Sequence, residues 1–192
     1  MDAAGAFAHR RALVAGLTGR VVEVGAGNGR MFAHYPSSVT AVVAIEPEPR
    51  LRASAVAAAR DAAVPIEVVE GVAESLPAAD GTFDAAVTSL VLCSVPDQPI
   101  ALAEIPRVLR PGGELRFYEH VRGDGVLRRV QRLVDATVWP LLCAGCHTGR
   151  DTVGAITAAG FEITELSRFR FPPSGPPNPA APHIRGAAAR SG

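Results

Sequence analysis

Apolar residues fall in short, nearly unbroken runs at 20–25, 39–45, 65–70, 83–89 and 114–121, separated by stretches with helical spacing. Runs of that length, rich in Val and Ile, read as strands covered on both faces, as in a parallel sheet. Residues 48–62 and 97–109 read as the intervening helices, the second capped by Asp97 and kinked by Pro106 in its later half. Residues 2–17 are alanine-rich, with Phe7, Leu13, Val14 and Leu17 roughly along one side. They predict a helix that either packs on the sheet edge or closes over a ligand as a lid. Residues 124–159 are again helical, with a break near 145–149. Two strands follow, at 161–171 and 183–189, joined by a Pro-rich loop. Strand and helix in alternation predict an α/β domain.

The first strand ends in Val21-Val22-Glu23-Val24-Gly25-Ala26-Gly27-Asn28-Gly29. Glycines at such spacing let the backbone turn sharply and approach a ligand closely, and a helix opening behind them would offer free N–H groups. A dinucleotide fingerprint would need its third glycine where Arg30 stands, and no Gly-Lys-Ser/Thr is present to cradle a phosphate. What remains, acid-x-Gly-x-Gly-x-Gly over Glu23, Gly25, Gly27 and Gly29, resembles motif I of the class I S-adenosylmethionine (SAM) methyltransferases. The resemblance implies that Ala26 and Asn28 also lie against the cofactor, and that Glu23 helps hold its ammonium group directly or through water. Glu46, followed by Pro47, stands at the tip of the second strand, about 20 residues after the loop. An acid there accepts hydrogen bonds from both ribose hydroxyls. The alternative is a carboxylate placed to suit a helix dipole.

Further along, Gly71-Val72-Ala73-Glu74-Ser75-Leu76-Pro77 and Asp80-Gly81-Thr82-Phe83-Asp84 are similar to methyltransferases of the ubiquinone-biosynthesis type. The adenine is thereby expected beside Val72, Ala73 and Glu74. Val72 stands where that family often has an aspartate, so main-chain groups are expected to do its work. Ser89 and Leu90 complete the cofactor set, and Arg107-Val108-Leu109-Arg110-Pro111-Gly112-Gly113, a hallmark of the class, sets strand five beside strand four. The fold implied is a Rossmann-like, doubly wound, seven-stranded and mostly parallel sheet with a reversed C-terminal strand. It forms a single domain over residues 19–190, behind an N-terminal helix or lid at 1–18.

Composition narrows the partners. The 192 residues suit one domain, 48% are apolar, and 19 Lys+Arg balance 19 Asp+Glu. No overall field favours nucleic acid, no run of about 18 apolar residues suggests a membrane anchor, and no secretion signal is visible. The expectation is a cytoplasmic protein with a small-molecule partner. Cys93, Cys143 and Cys146 make an odd set unsuited to a disulfide framework. Cys143-Ala-Gly-Cys146-His147 matches the c-type haem attachment pattern, which nothing else supports. Chance clustering leads over a dithiol redox role, and no metal site is assigned.

A narrower resemblance rests on Leu90-Val91-Leu92-Cys93-Ser94-Val95, Glu119-His120-Val121, Gln131, Leu133, Asp135, Trp139, Leu141-Leu142, Gly145-Cys146, Ala159-Gly160-Phe161 and Pro182-His183-Ile184. Together they resemble the methyltransferase-like-seven family, which includes alkyl thiol S-methyltransferases. Animal relatives carry an amino-terminal membrane anchor that this sequence does not show. The implied activity is SAM-dependent methylation of a small, fairly apolar acceptor, with a thiol first. The alternatives are N-, O- or C-methylation of a lipid, quinone-like or other small molecule, and a non-catalytic SAM-fold scaffold. A thiol of pKa about 8.5 needs a base or positive field to ionise. His120, at the carboxyl end of strand five, is the candidate, with Glu119 as a possible orienting partner and backbone bonding as the plain alternative. Cys93 reads as a small buried residue, His183 as structural, and Trp139 with 126–142 as either an acceptor wall or core packing.

Overall fold

The computed structural model describes residues 5–190. Strands β1 (Gly19–Val24), β2 (Val39–Ile45), β3 (Ile66–Val69), β4 (Phe83–Ser89), β5 (Leu109–His120), β6 (Phe161–Arg170) and β7 (Pro182–Arg190) form one sheet in the order β3-β2-β1-β4-β5-β7-β6. The pairings from β3 across to β5 are parallel. β7 runs antiparallel to both β5 and β6, which gives the reversed C-terminal strand and its hairpin. The strand order changes direction at β1 and β4, and ligands bind beyond the carboxyl ends of strands at such a switch point.

Successive strand residues face opposite sides of the sheet, so each apolar strand feeds two cores. Val21, Val42, Val87 and Tyr118 pack under α1 (Ala6–Val14) and α2 (Pro49–Ala59), whose Leu13, Val14 and Ala55 are buried there. Val22, Ala86, Leu115 and Phe117 pack on the other side against Leu102 and Ile105 of α3 (Gln98–Val108) and Ile156 of α6 (Thr152–Ala158). Asp97 caps α3, accepting from the Ile100 amide at 3.0 Å, and Pro106 falls in the last turn, where it cannot donate the helical hydrogen bond to the residue four before it. The Asp80–Asp84 and Arg107–Arg110 segments meet through two ion pairs, Arg107 with Asp80 at 2.7 Å and Arg110 with Asp84 at 2.6 Å.

Three elements depart from the sequence pattern. The helix expected behind the glycine loop is only a 3-10 turn, Phe32–His34, because positive φ at Gly27 and Gly29 and the coming Pro36 leave no room for an α-helix. Within the described residues α1 starts at Ala6, and residues 2–4 of the expected helix lie outside them. The region 124–142 forms α4 (Gly125–Asp135) and α5 (Trp139–Leu142), yet Val126, Leu133, Leu141 and Leu142 face solvent instead of a core or a ligand. What α4 does bury is Gln131, which donates to the carbonyls of Val121, Thr148 and Pro179 and accepts from the Gly123 amide. Among the described residues no helix is long and apolar enough to cross a membrane.

Phe117 is fully buried and Val126 is 75% exposed. Urea unfolding should therefore show Phe117→Ala losing about 3–5 kcal/mol, and Val126→Ala staying within about 0.5 kcal/mol.

Candidate functional site

Beyond the carboxyl ends of β1, β2 and β4 opens a cavity of about 520 Å³, within the size range of small-molecule sites. The glycine loop forms its floor. The Ile45 carbonyl accepts from both the Gly25 and Ala26 amides at 2.9 Å, which turns the chain sharply off β1. Gly25 has φ +70°, and a Cβ there would lie 2.6 Å from the Val91 side chain. Gly27 has φ +58°, but a Cβ would meet no protein atom within 4 Å. Glycine at 25 is thus required by packing, whereas the space at 27 is left open on the cavity wall.

Glu46 braces that loop. One carboxylate oxygen accepts from the Gly27 amide at 2.7 Å and the other from the Glu48 amide at 2.9 Å. Two oxygens offer about four acceptor positions, so capacity remains for a ligand at this 5% exposed residue. Glu48 itself caps α2, accepting from the Leu51 amide at 2.6 Å.

Glu23 is buried on the cavity wall, and its carboxyl accepts a hydrogen bond from Tyr35 Oη at 2.7 Å. Burial raises its pKa to about 8, with the Tyr35 bond and the charge of Arg10 opposing. Arg10 lies on the same wall, brought there by α1. Nothing in the alanine-rich pattern around it marked it as a site residue.

The structure brings Glu23, Gly25, Ala26, Gly27, Asn28, Glu46, Pro47, Val72, Ala73, Glu74, Ser89 and Leu90 to this one cavity. Gly29 is not on its wall, because that glycine makes room for Phe32 and Ala58. Leu90 takes φ +61° and Ala144 φ +50°, the two positive-φ residues other than glycine among the described residues, and both line the cavity. Backbone held in this conformation concentrates at functional sites. The 126–142 region contributes nothing to the wall.

His120 is also off the wall. Its Nδ1 lies 3.4 Å from Cys146 Sγ, and its ring meets that of His183 edge-on at 4.6 Å. Glu119 does not orient it, since neighbouring strand residues point to opposite faces. Glu119 instead accepts from the amides of Val91 at 3.2 Å and Cys93 at 3.4 Å, and burial pushes its carboxyl up to about 7. His183 is structural in the sense expected: its Nδ1 bonds the Ala181 carbonyl at 2.8 Å, and burial lowers its pKa to about 4. Cys93 and Cys146 share hydrogen bonding that holds the Cys146 thiol well below its ordinary range and pushes Cys93 well above it. The side chain of His120 adds to the lowering at Cys146.

Residues 22–117 match the Methyltransferase domain family. Over 183 residues the chain is 34% identical to thiol S-methyltransferase TMT1A of Homo sapiens, covering 92% of this chain and 73% of that protein. The identity to thiol S-methyltransferase TMT1B of Homo sapiens is 33% over 186 residues, 92% of this chain and 75% of the relative. The chain belongs to the thiol S-methyltransferase family. It is a SAM-dependent methyltransferase. The fold of an S-adenosylmethionine-dependent methyltransferase from Mesorhizobium loti superposes with a TM-score of 0.68 at 23% identity, over 94% of this chain and 95% of that one. That similarity concerns the fold alone.

The pKa of Glu23 gives a signed test of its place in this methyltransferase. Its folded value, about 8, lies above the ordinary 4.5, so ionising it costs folded-state stability as pH rises between those values. A ligand ammonium favours the ionised form. S-adenosylhomocysteine should then bind with release of a proton and tighten as pH rises from about 6 to about 8, by up to about tenfold per unit. Calorimetry in buffers of different ionisation enthalpy measures this, and Glu23→Gln should flatten the profile. A wild-type profile as flat as that of the variant would remove Glu23 from the ammonium site.

Proposed function

We propose that this protein transfers the methyl group of SAM to the sulfur of a small alkyl thiol. The cofactor's place is supported by the open space at Gly27 and by the unused acceptor positions of Glu46, both on one cavity wall. The residues fit the group. Glu46 takes the ribose hydroxyls, and Val72 and Ala73 flank the adenine with Leu51 on the same wall. Glu23 receives the ammonium and Arg10 faces the carboxylate of the methionyl end. Ala26, Asn28, Pro47 and Glu74 complete the surround, with Ser89 and Leu90 at the end of β4. When bound, SAM supplies an electrophilic methyl on a sulfonium centre.

Little covalent machinery is needed for such a displacement. The protein's part is to hold the acceptor in line and exclude water, which contributes on the order of 7–11 kcal/mol in well-oriented reactions. Thiol as acceptor is supported by the relatives' named activity over nearly the whole chain. His120, grouped with Cys93 and Cys146 whose near chain neighbours Ser94 and Ala144 line the cavity, is the group placed to favour ionisation of an incoming thiol. The acceptor proton leaves for solvent, the sulfur–methyl bond forms and the sulfonium–methyl bond breaks, giving a thioether and S-adenosylhomocysteine. α1, holding Arg10 over the cavity, serves as its cover. Three free cysteines and the balanced charge suit a reducing compartment, the cytoplasm.

An acceptor panel tests the thiol assignment: alkyl thiol, the matching alcohol and amine, a phenol and a quinol, each with methyl-labelled SAM. Thioether should be the main product. Preferential methylation of oxygen, nitrogen or carbon would overturn the choice. In the same assay His120→Ala should lower turnover at least about tenfold, as acid–base or charge stabilisation losses do, while leaving S-adenosylhomocysteine affinity within a factor of about two. Equal loss of both would make His120 structural.

A further inference from the structure

We infer that Cys93, His120 and Cys146 form a binding site for a thiophilic divalent cation, with Zn²⁺ the best match. One atom from each residue lies within 4.8 Å of the other two, and Cys146 Sγ is 3.4 Å from His120 Nδ1. Zinc bonds of about 2.3 Å to sulfur and about 2.0 Å to nitrogen place tetrahedral ligands about 3.5–3.8 Å apart. One pair is already close to that spacing, and the rest of the triangle needs to close by at most about 1 Å. Two cysteines and a histidine are a donor set that zinc uses in catalytic sites, where the fourth vertex stays open.

The surroundings hold these three side chains together from separate parts of the chain. The Cys93 carbonyl accepts from the His147 amide at 2.8 Å. Asp135 fixes the same segment by accepting from the Thr148 and Gly149 amides, each at 2.8 Å. Arg150 donates to the carbonyls of Leu92 and Val95, both at 2.7 Å. Gln131 ties Thr148 to the end of β5 through Val121. Trp139 supplies a second observation: its Nε1 is buried without a hydrogen-bond partner, and it lies near enough to Cys146 to interact with that sulfur. A metal-bound thiolate accepts such a donor, as outer-shell groups do around bound metals.

The cluster reaches the ligand cavity through its chain neighbours. Ser94 follows Cys93, Ala144 precedes Cys146 by two residues, and both line the wall. The fourth vertex therefore goes to an acceptor thiol, which loses its proton to solvent as its sulfur binds the metal as a thiolate. The ion site stands on the three side chains alone. Only the fourth ligand rests on the thiol reading of the previous subsection.

Protein reduced with a phosphine and stripped with a chelator should take up one Zn²⁺ per chain in competition with a chromophoric chelator. Co²⁺ in its place should give sulfur-to-metal charge transfer and the intense visible bands of a tetrahedral site. Cys146→Ser and His120→Ala should weaken uptake at least about a hundredfold, the upper end of losses seen even for outer-shell changes, while Cys143→Ser leaves it unchanged. Retained folding of the variants is checked by S-adenosylhomocysteine binding. An alkyl thiol should shift the charge-transfer band, and its alcohol analogue should not. Reduced wild type that takes up no metal, or uptake lost equally in Cys143→Ser, overturns the site. Uptake with no response to thiol overturns the fourth-ligand assignment and leaves the thiol activity to be judged by the acceptor panel.

Discussion

The carboxylate of Glu46 joins the tip of β2 to the glycine loop after β1, and the ligand cavity depends on that joint. Its bonds to the Gly27 and Glu48 amides, 2.7 and 2.9 Å, fix a loop that has no helix behind it to do so. With the Ile45 carbonyl taking the Gly25 and Ala26 amides, three successive amides of the loop are held from β2 and its tip. A charged acceptor bonded to backbone amides is stronger than a neutral one, which suits a residue that is 5% exposed. The same carboxylate can brace the loop and present its remaining lone pairs to a ribose.

Beyond β4 the corresponding joint is Glu119. Facing away from His120, it gathers the amides of Val91 and Cys93 and so shapes the turn beyond β4 where Leu90 adopts a positive φ. The segment 143–150 is then strapped over that turn by Asp135, Gln131 and Arg150. Two buried carboxyls, Glu23 and Glu119, thus have raised pKa values and different tasks. One faces the cavity, and the other holds the backbone around it.

The sheet and its reversed strand were legible because parallel strands covered on both faces leave nearly pure apolar runs, and because glycines at 25, 27 and 29 punctuate the first of them. The cavity wall was legible wherever a ligand contact depends on backbone geometry or on an acid at a strand tip, as at Gly27 and Glu46. It was hidden where tertiary packing alone brings a residue in. Arg10 arrives on a helix whose pattern signals only burial, and Gly29 serves Phe32 and Ala58 although its spacing matches the loop motif. The helical pattern of 124–142 gave the wrong expectation, since its apolar face is solvent-exposed while the polar Gln131 is buried. Cys93, His120 and Cys146 come from two separate turns and the end of β5, so no ligand spacing along the chain announced their meeting.

We propose that the wall built by Gly27 and Glu46 holds the methyl donor. Calorimetry of S-adenosylhomocysteine against ligand-free wild type and Gly27→Val tests it most directly, with thermal melting to show that both are folded. The space at Gly27 is open in the protein and would be filled by the cofactor, so wild type should bind and a folded variant should not. Equal binding by both, or none by the folded wild type, would contradict the placement.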